Sequence, residues 1–278
     1  MAMKTIMGLG VPHVPFITGS PELGDKNQVT SLIDTFHQKR KEIERYAPDL
    51  VIIISAEHAN KFFLDNVPPF CVGVAQSFDG PSDKGTKLPY AEVPGHERFG
   101  ERLVKSGIES GFDLAYARQW TMDHGFMLPL YLLTKYAYPI VPIFVNAALP
   151  PLPTSKRCFQ LGQFIRSVIE QDPEAQNILL IGAGGISHSV GTEDMGMIDE
   201  TFDRNFLQCL ETADKEKLLS IGFDEMEKAG SSTHEILAWI VVAGALFPER
   251  TCTNYYAPIK GFATGCAISS WPPVEIHS

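Results

Sequence analysis

An α/β fold, a sheet sandwiched between helices, is the class this sequence predicts, and three observations predict it. Apolar, β-branched runs recur at Leu50 to Ile54, Ile140 to Val145 and Ile178 to Ile181, the mark of strands covered on both faces. Between them lie stretches with apolar residues three and four apart, the spacing of a helix with one buried side. The third is bulk: 278 residues, 44% of them hydrophobic and 20% charged, suffice to bury a substantial core.

Taken in order, Thr5 to Val11 is an apolar opening strand, and Ser31 to Tyr46 mixes apolar residues at helical spacing with Lys and Glu. Leu50 to Ile54 is the next strand. Gln76 to Pro89, rich in Gly and Pro, reads as a loop that forms neither ladder nor helix, and so does the proline-rich Leu149 to Ser155. Ile140 to Val145 precedes that second loop, and helical patterns at Cys158 to Glu170 and Ile198 to Leu210 flank the strand Ile178 to Ile181. With no internal repeat, low-complexity tract or linker, one catalytic domain over residues 1–278 is expected.

Composition excludes several classes. A formal net charge of -10 repels phosphate backbones, so no nucleic-acid partner is expected. The longest apolar run, Ile236 to Phe247, is too short to cross a bilayer, and no basic region followed by an apolar one opens the chain; no membrane association and a cytoplasmic location are expected. Cys71, Cys158, Cys209, Cys252 and Cys266 are scattered, odd in number and never in C-x-x-C spacing, so they read as buried free thiols. The turn Gly182-Ala-Gly-Gly185 lacks the third glycine of a dinucleotide fingerprint, and Gly185-Ile-Ser-His-Ser189 lacks the closing glycine of a nucleophile elbow.

Chemistry concentrates in the eight histidines. His13 follows the first strand, His58 follows Val51 to Ile54, and His188 follows Leu179 to Ile181 through the glycine-rich turn. Sites of α/β folds form where the backbone leaves the sheet, so three imidazoles can converge at one edge. Taken singly, each is more often a satisfied polar residue than a ligand; the shared placement is what singles them out. Glu235 opens the otherwise apolar segment Ile236 to Ile240, where free backbone N–H groups favour an anion, and plain helix capping explains it equally well.

If Glu235 points at two of the imidazoles, the set is a two-His, one-carboxylate triad that leaves metal positions open, as oxygen activation requires. That donor set suits Fe(II); zinc is chemically open to it as well. His124, in Met122-Asp-His-Gly-Phe126, and His188 remain as acid and base groups near neutral pH.

At these residues the sequence resembles the class III extradiol dioxygenases, and within them the catalytic β subunit of protocatechuate 4,5-dioxygenase and its gallate dioxygenase relatives. The matching stretches are Val11-Pro-His-Val-Pro15, Glu57-His-Ala59, Asp123-His-Gly125 with Leu128-Pro-Leu130, Lys156-Arg-Cys-Phe159, Gly184-Gly-Ile-Ser-His188, and Glu235 with Gly244-Ala-Leu246. The resemblance runs over nearly the whole chain and implies a central mixed sheet flanked by helices in a single domain. It further implies Fe(II) held by His13, His58 and Glu235, His188 as acid and base, and His124 lining the pocket. The implied reaction opens a catechol-type ring beside its diol with O₂, in the degradation of aromatic compounds.

Three departures bear on substrate and partners. Lys260 stands where relatives carry small polar residues, and it is expected to pair with an anionic ring substituent, a solvated loop lysine being the plain alternative. Glu57 replaces an aspartate before His58, which bears on the contacts that tune that ligand. The chain leaves no room for the small domain that closes the pocket in relatives, so a homo-oligomer or a complex with a small additional subunit is expected. A zinc-dependent or non-redox protein of the same fold, or a non-catalytic partner subunit, is the alternative reading. The individual catechol or aminophenol stays open at this level.

Overall fold

A computed structural model describes residues 3–84 and 86–276. In chain order the elements are β1 (Lys4–Val11), α1 (Phe16–Gly19), α2 (Lys26–Tyr46), β2 (Leu50–Ser55), β3 (Phe70–Gly73), β4 (Ser77–Gly80), β5 (Ala91–Pro94) and α3 (Glu97–Glu109). There follow β6 (Ala115–Ala117), α4 (His124–Thr134), β7 (Ile140–Val145), α5 (Ser155–Gln171), β8 (Asn177–Ala183) and α6 (Glu200–Thr212). The chain ends with α7 (Lys215–Ser220), α8 (Phe223–Ala229), α9 (Ile236–Leu246), β9 (Cys252–Ile259) and β10 (Thr264–Ile276).

Eight strands form one mixed sheet in the order β6-β3-β7-β2-β8-β1-β10-β9. Its centre, β7-β2-β8-β1, is parallel, while β10 runs antiparallel to β1 and β9, and β3 antiparallel to β7. Every residue of β2 and β7 is buried, as their unbroken apolar runs demand. Side chains alternate between two cores: Leu50, Ile52 and Ile54 of β2, with Ile178 and Leu180 of β8, join one, and Val51, Ile53, Leu179 and Ile181 join the other. Helices therefore cover both faces, and the expected sandwich of sheet and helices is what forms.

The all-apolar α9 is buried along its whole length and packs on α5. Close approach is possible because Gly162 and Gly244 face the partner backbone: a Cβ on Gly162 would stand 1.9 Å from the Val241 carbonyl oxygen. Among the described residues no helix is long and apolar enough to cross a membrane.

The expected helices are present, α2 and α5 with extended ends and α6 shifted two residues along the chain, to Glu200–Thr212. The helix expected from Ser31 begins at Lys26, because Asp25 accepts from the N–H groups of Asn27 and Gln28 at 3.0 Å each. The segment Gln76 to Pro89 corrects one expectation, since Ser77–Gly80 does form a ladder, antiparallel with Ala91–Pro94. Its prolines, Pro81 and Pro89, lie between the two strands and leave the pairing N–H groups intact. The thiols need a second correction: all five cysteines are free, but Cys252 is exposed on the edge strand β9.

Candidate metal centre

The carboxyl ends of β1, β2 and β8 lie side by side, and the chain leaving each carries one histidine inward. His13 sits two residues beyond β1 and is 3% exposed. Its Nδ1 lies 3.1 Å from Ser55 Oγ, whose single proton goes to the Gly125 carbonyl oxygen at 2.9 Å. Ser55 therefore accepts from His13 Nδ1–H, and Nε2 keeps its lone pair.

His58 stands beyond β2 with its side chain 35% exposed. Asp123 Oδ2 accepts from its backbone N–H at 2.7 Å and from Nδ1–H at 2.8 Å. His188, beyond the glycine-rich turn after β8, donates Nδ1–H to the Ile186 carbonyl oxygen at 2.9 Å. His124 is the first residue of α4; Asp83 accepts from its backbone N–H at 2.9 Å and from Nδ1–H at 2.6 Å. In all four rings Nδ1 is committed to an outside partner, so Nε2 is the nitrogen left free.

Glu235 closes the arrangement from the opposite chain segment, at the turn that leads into α9. Its carboxylate makes no helix-capping hydrogen bond, which removes the capping explanation. Oε2 accepts from Gly185 N–H at 2.8 Å and lies 3.0 Å from His13 Nε2 and 3.5 Å from His188 Nε2, while Oε1 lies 3.4 Å from His58 Nε2. The turn passes this close because it is glycine: a Cβ on Gly184 would stand 2.7 Å from Glu235 Cβ.

One observation tests whether a metal belongs here. His13 Nε2 is fully buried and lacks a hydrogen-bond partner, although Glu235 Oε2 is 3.0 Å away. Two donors that shared one divalent ion at roughly 2.0 to 2.2 Å each would stand roughly 3 to 3.5 Å apart. The residues fit a divalent ion. One nitrogen each of His13, His58 and His124 lies within 4.8 Å of the other two, so His124 belongs to the same cluster. Its ring stacks on that of His58, with centroids 4.2 Å apart and planes 23° apart.

The charges respond as expected of such a cluster. Burial pushes His13 below the usual imidazole range. Burial also works against charging His58, yet the carboxylates of Asp123 and Glu235, each facing one of its ring nitrogens, lift it well above that range. Burial opposes the charged form of Glu235 too, and the facing imidazoles of His13 and His188 outweigh it, holding the carboxyl well below its usual value.

Residues 7–264 match the family described as the catalytic LigB subunit of aromatic ring-opening dioxygenase. The chain belongs to that family. It is an extradiol dioxygenase, as its motifs led us to expect. A Photorhabdus laumondii protein named 2,3-dihydroxyphenylpropionate/2,3-dihydroxicinnamic acid 1,2-dioxygenase is 29% identical, over 99% of this chain and 98% of its own. A Pseudomonas putida protein named for the same reaction is 29% identical over 87% and 93%. Among solved structures, an uncharacterized Escherichia coli K12 protein superposes with a TM-score of 0.61 at 14% identity, covering 96% of this chain and 99% of its own. That last likeness is one of fold.

Within this LigB chain, His13, His58, His124, His188 and Glu235 come together, and Lys260 does not join them. Lys260 lies exposed on the turn between β9 and β10 and makes no ion pair among the described residues. Glu57 also turns away: its carboxylate accepts from the backbone N–H groups of Asn60, Lys61 and Phe62, shaping the loop after His58. Ser55, Asp83 and Asp123, which the sequence alone does not single out, join the site through the Nδ1 atoms of His13, His124 and His58. Asp123 carries a legible signal, an acid directly before a candidate histidine, but Asp83 lies 41 residues from His124 and Ser55 looks like any strand-terminal serine.

Proposed function

We propose that the protein is an Fe(II)-dependent extradiol dioxygenase that opens a catechol bearing an anionic side chain, with His13, His58 and Glu235 as metal ligands and residues 1–278 as one catalytic domain. The observation that carries this reading is the approach of one carboxylate to two lone-pair nitrogens, at 3.0 Å and 3.4 Å, each fixed from behind by Ser55 or Asp123. A two-His, one-carboxylate set holds one face of the ion and leaves the rest for substrate and O₂. When bound, the metal supplies Lewis acidity toward the diol and a redox partner for O₂.

The remaining work falls to the chain. His188 Nε2, buried and free, accepts a proton from a catechol hydroxyl and returns it as the ring opens. Its Nδ1–H bond to the Ile186 carbonyl keeps Nε2 the exchanging atom. His124 lines the substrate side, and its stacking on His58 limits where the aromatic ring can lie. Both atoms of O₂ end in the product, so the reaction needs no external reductant.

The named relatives act on 2,3-dihydroxyphenylpropionate and 2,3-dihydroxicinnamic acid, catechols with a carboxylate chain. That supports an acidic substituted catechol here, with Lys260 as the cation that meets the carboxylate; protocatechuate and gallates belong in the same test panel. The turn bearing Lys260 leads into Thr264, whose backbone bridges to His188, so the turn borders the site. A homo-oligomer or a small additional subunit covering the site is part of this reading.

Anaerobic loading with Fe(II), then O₂ uptake and product absorbance across the panel, tests it. Turnover with Fe(II) and none with Zn(II) is expected. Equal activity with Zn(II), or no O₂ uptake on any catechol, would refute it.

A further inference from the structure

We infer that Asp83 is a positioning residue for the ring-opening reaction, holding His124 toward the substrate with Nε2 free. The inference rests on the function proposed above for the site, and on geometry that stands without it. One carboxylate meets one residue twice: Oδ1 accepts from the His124 backbone N–H at 2.9 Å and Oδ2 from the ring Nδ1–H at 2.6 Å. The first bond anchors the start of α4; the second fixes the rotation of the ring. Because a carboxylate only accepts, the proton sits on Nδ1 and the inward nitrogen is Nε2.

A helix-capping explanation is already taken. Asp123 is the N-cap of α4 and accepts from Gly125 N–H at 3.0 Å, so the helix has its cap without Asp83. Nor does Asp83 fill a core, since its side chain is 20% exposed. It arrives from outside the main sheet, on the loop joining β4 to β5, 41 residues before His124. That loop is stitched to the segment ahead of α4: Ser82 N–H donates to the Met122 carbonyl at 2.8 Å, and Met122 N–H to the Asp79 carbonyl at 2.7 Å. The hairpin thus delivers a carboxylate to the outer edge of one particular ring.

That ring differs from its neighbours in the cluster. Glu235 oxygens lie within 4.0 Å of His13, His58 and His188, whereas among the described residues His124 makes no such contact. His124 stacks on His58 instead, and the two rings have separate carboxylates, Asp83 and Asp123, at their Nδ1 edges. Asp123 serves a candidate metal ligand. Asp83 serves the ring beside it, so its loss should disturb substrate turnover and leave metal binding alone.

The test is a double-mutant cycle with a spectroscopic readout. Using the Fe(II)-loaded full chain and 2,3-dihydroxyphenylpropionate as probe, Asp83→Ala is expected to lower kcat by about 10- to 100-fold, the usual effect of removing an orienting partner. Asp83→Asn, which keeps one acceptor, should fall between it and the parent. In a His124→Phe background either Asp83 substitution should have no further effect. Metal affinity, measured by chelator competition, should stay at the parent value. In ¹⁵N spectra of the metal-free protein, His124 should be the Nδ1–H form in the parent and a tautomer mixture in Asp83→Ala.

Equal losses in both backgrounds, weakened metal binding, or an unchanged His124 tautomer would overturn the proposal. Should Asp83→Ala fail to fold, the Asp83→Asn arm of the cycle and its spectrum decide the matter. If the parent opens no catechol, the proposed function fails, and the tautomer spectra still decide what Asp83 does.

Discussion

Asp123 Oδ2 accepts two hydrogen bonds from His58, one from its backbone N–H at 2.7 Å and one from Nδ1–H at 2.8 Å, and Asp123 is wholly buried while doing so. The carboxylate fixes both the position of the chain after β2 and the tautomer of the ring. A ligand prepared in this way loses little freedom when an ion arrives.

Replacing Asp123 by Ala should therefore weaken divalent-metal binding by about 10- to 100-fold, as for other orienting partners of metal-bound histidines. Loss of the α4 cap should lower stability by about 1 kcal/mol in addition. Chelator competition and urea unfolding measure the two effects separately. Unaltered metal affinity would show that His58 is oriented by something else.

His188→Phe should bind metal and substrate and lose about 10²- to 10⁴-fold in turnover, the usual worth of a positioned acid and base. Single-turnover kinetics under O₂ give the number. A variant as fast as the parent would place the proton transfer at another residue.

Lys260→Met should raise KM for carboxylated catechols by up to about fivefold and spare uncharged ones, since an ion pair to an exposed lysine contributes about 0.2 to 1 kcal/mol. Steady-state kinetics on matched substrates provide the comparison. The same change for both would return Lys260 to the solvent.

Asp203 gives a pH-dependent prediction of stability. Burial pushes its carboxyl up to about 6, against the pull of the Ser187 N–H and Tyr256 hydroxyl bonds it accepts. The folded chain then binds this proton more tightly than the unfolded one, so stability falls as pH rises from about 4 to about 6. Two pKa units correspond to on the order of 3 kcal/mol. Denaturant unfolding at pH 4.5 and 6.5 should show that decline in the parent, and Asp203→Asn should lack this part of it. Identical pH slopes in the two proteins would contradict the assignment.

Gly162→Ala should lower the melting temperature by several degrees. Its Cβ would meet the Val241 carbonyl oxygen and force α5 from α9, and overpacking of this kind costs typically 1–3 kcal/mol. A scan showing no loss would mean that the helix pair relaxes freely.

The chain's own residue order determined its inner strands and the core helices. β2 and β7 are legible as runs because both of their faces are buried, and α5 and α6 because one face of each is. His13, His58 and His188 were legible as well, each standing just past an apolar run that had to end somewhere. The ladder β4–β5 and the strand β10 were hidden by their prolines. In β10, Pro272 and Pro273 fall at the irregularity where β1 passes from Ile6 opposite Val274 to Gly8 opposite Trp271.

Only tertiary structure decided that Glu235 faces His13 and does not cap its helix, that Asp123 and Asp83 each take one ring, and that Glu57 turns to its own loop. The physical reason is range. A run of apolar residues declares its burial through local spacing, but which carboxylate meets which imidazole depends on pairs 41 to 222 residues apart, and those are set by how the strands lie side by side.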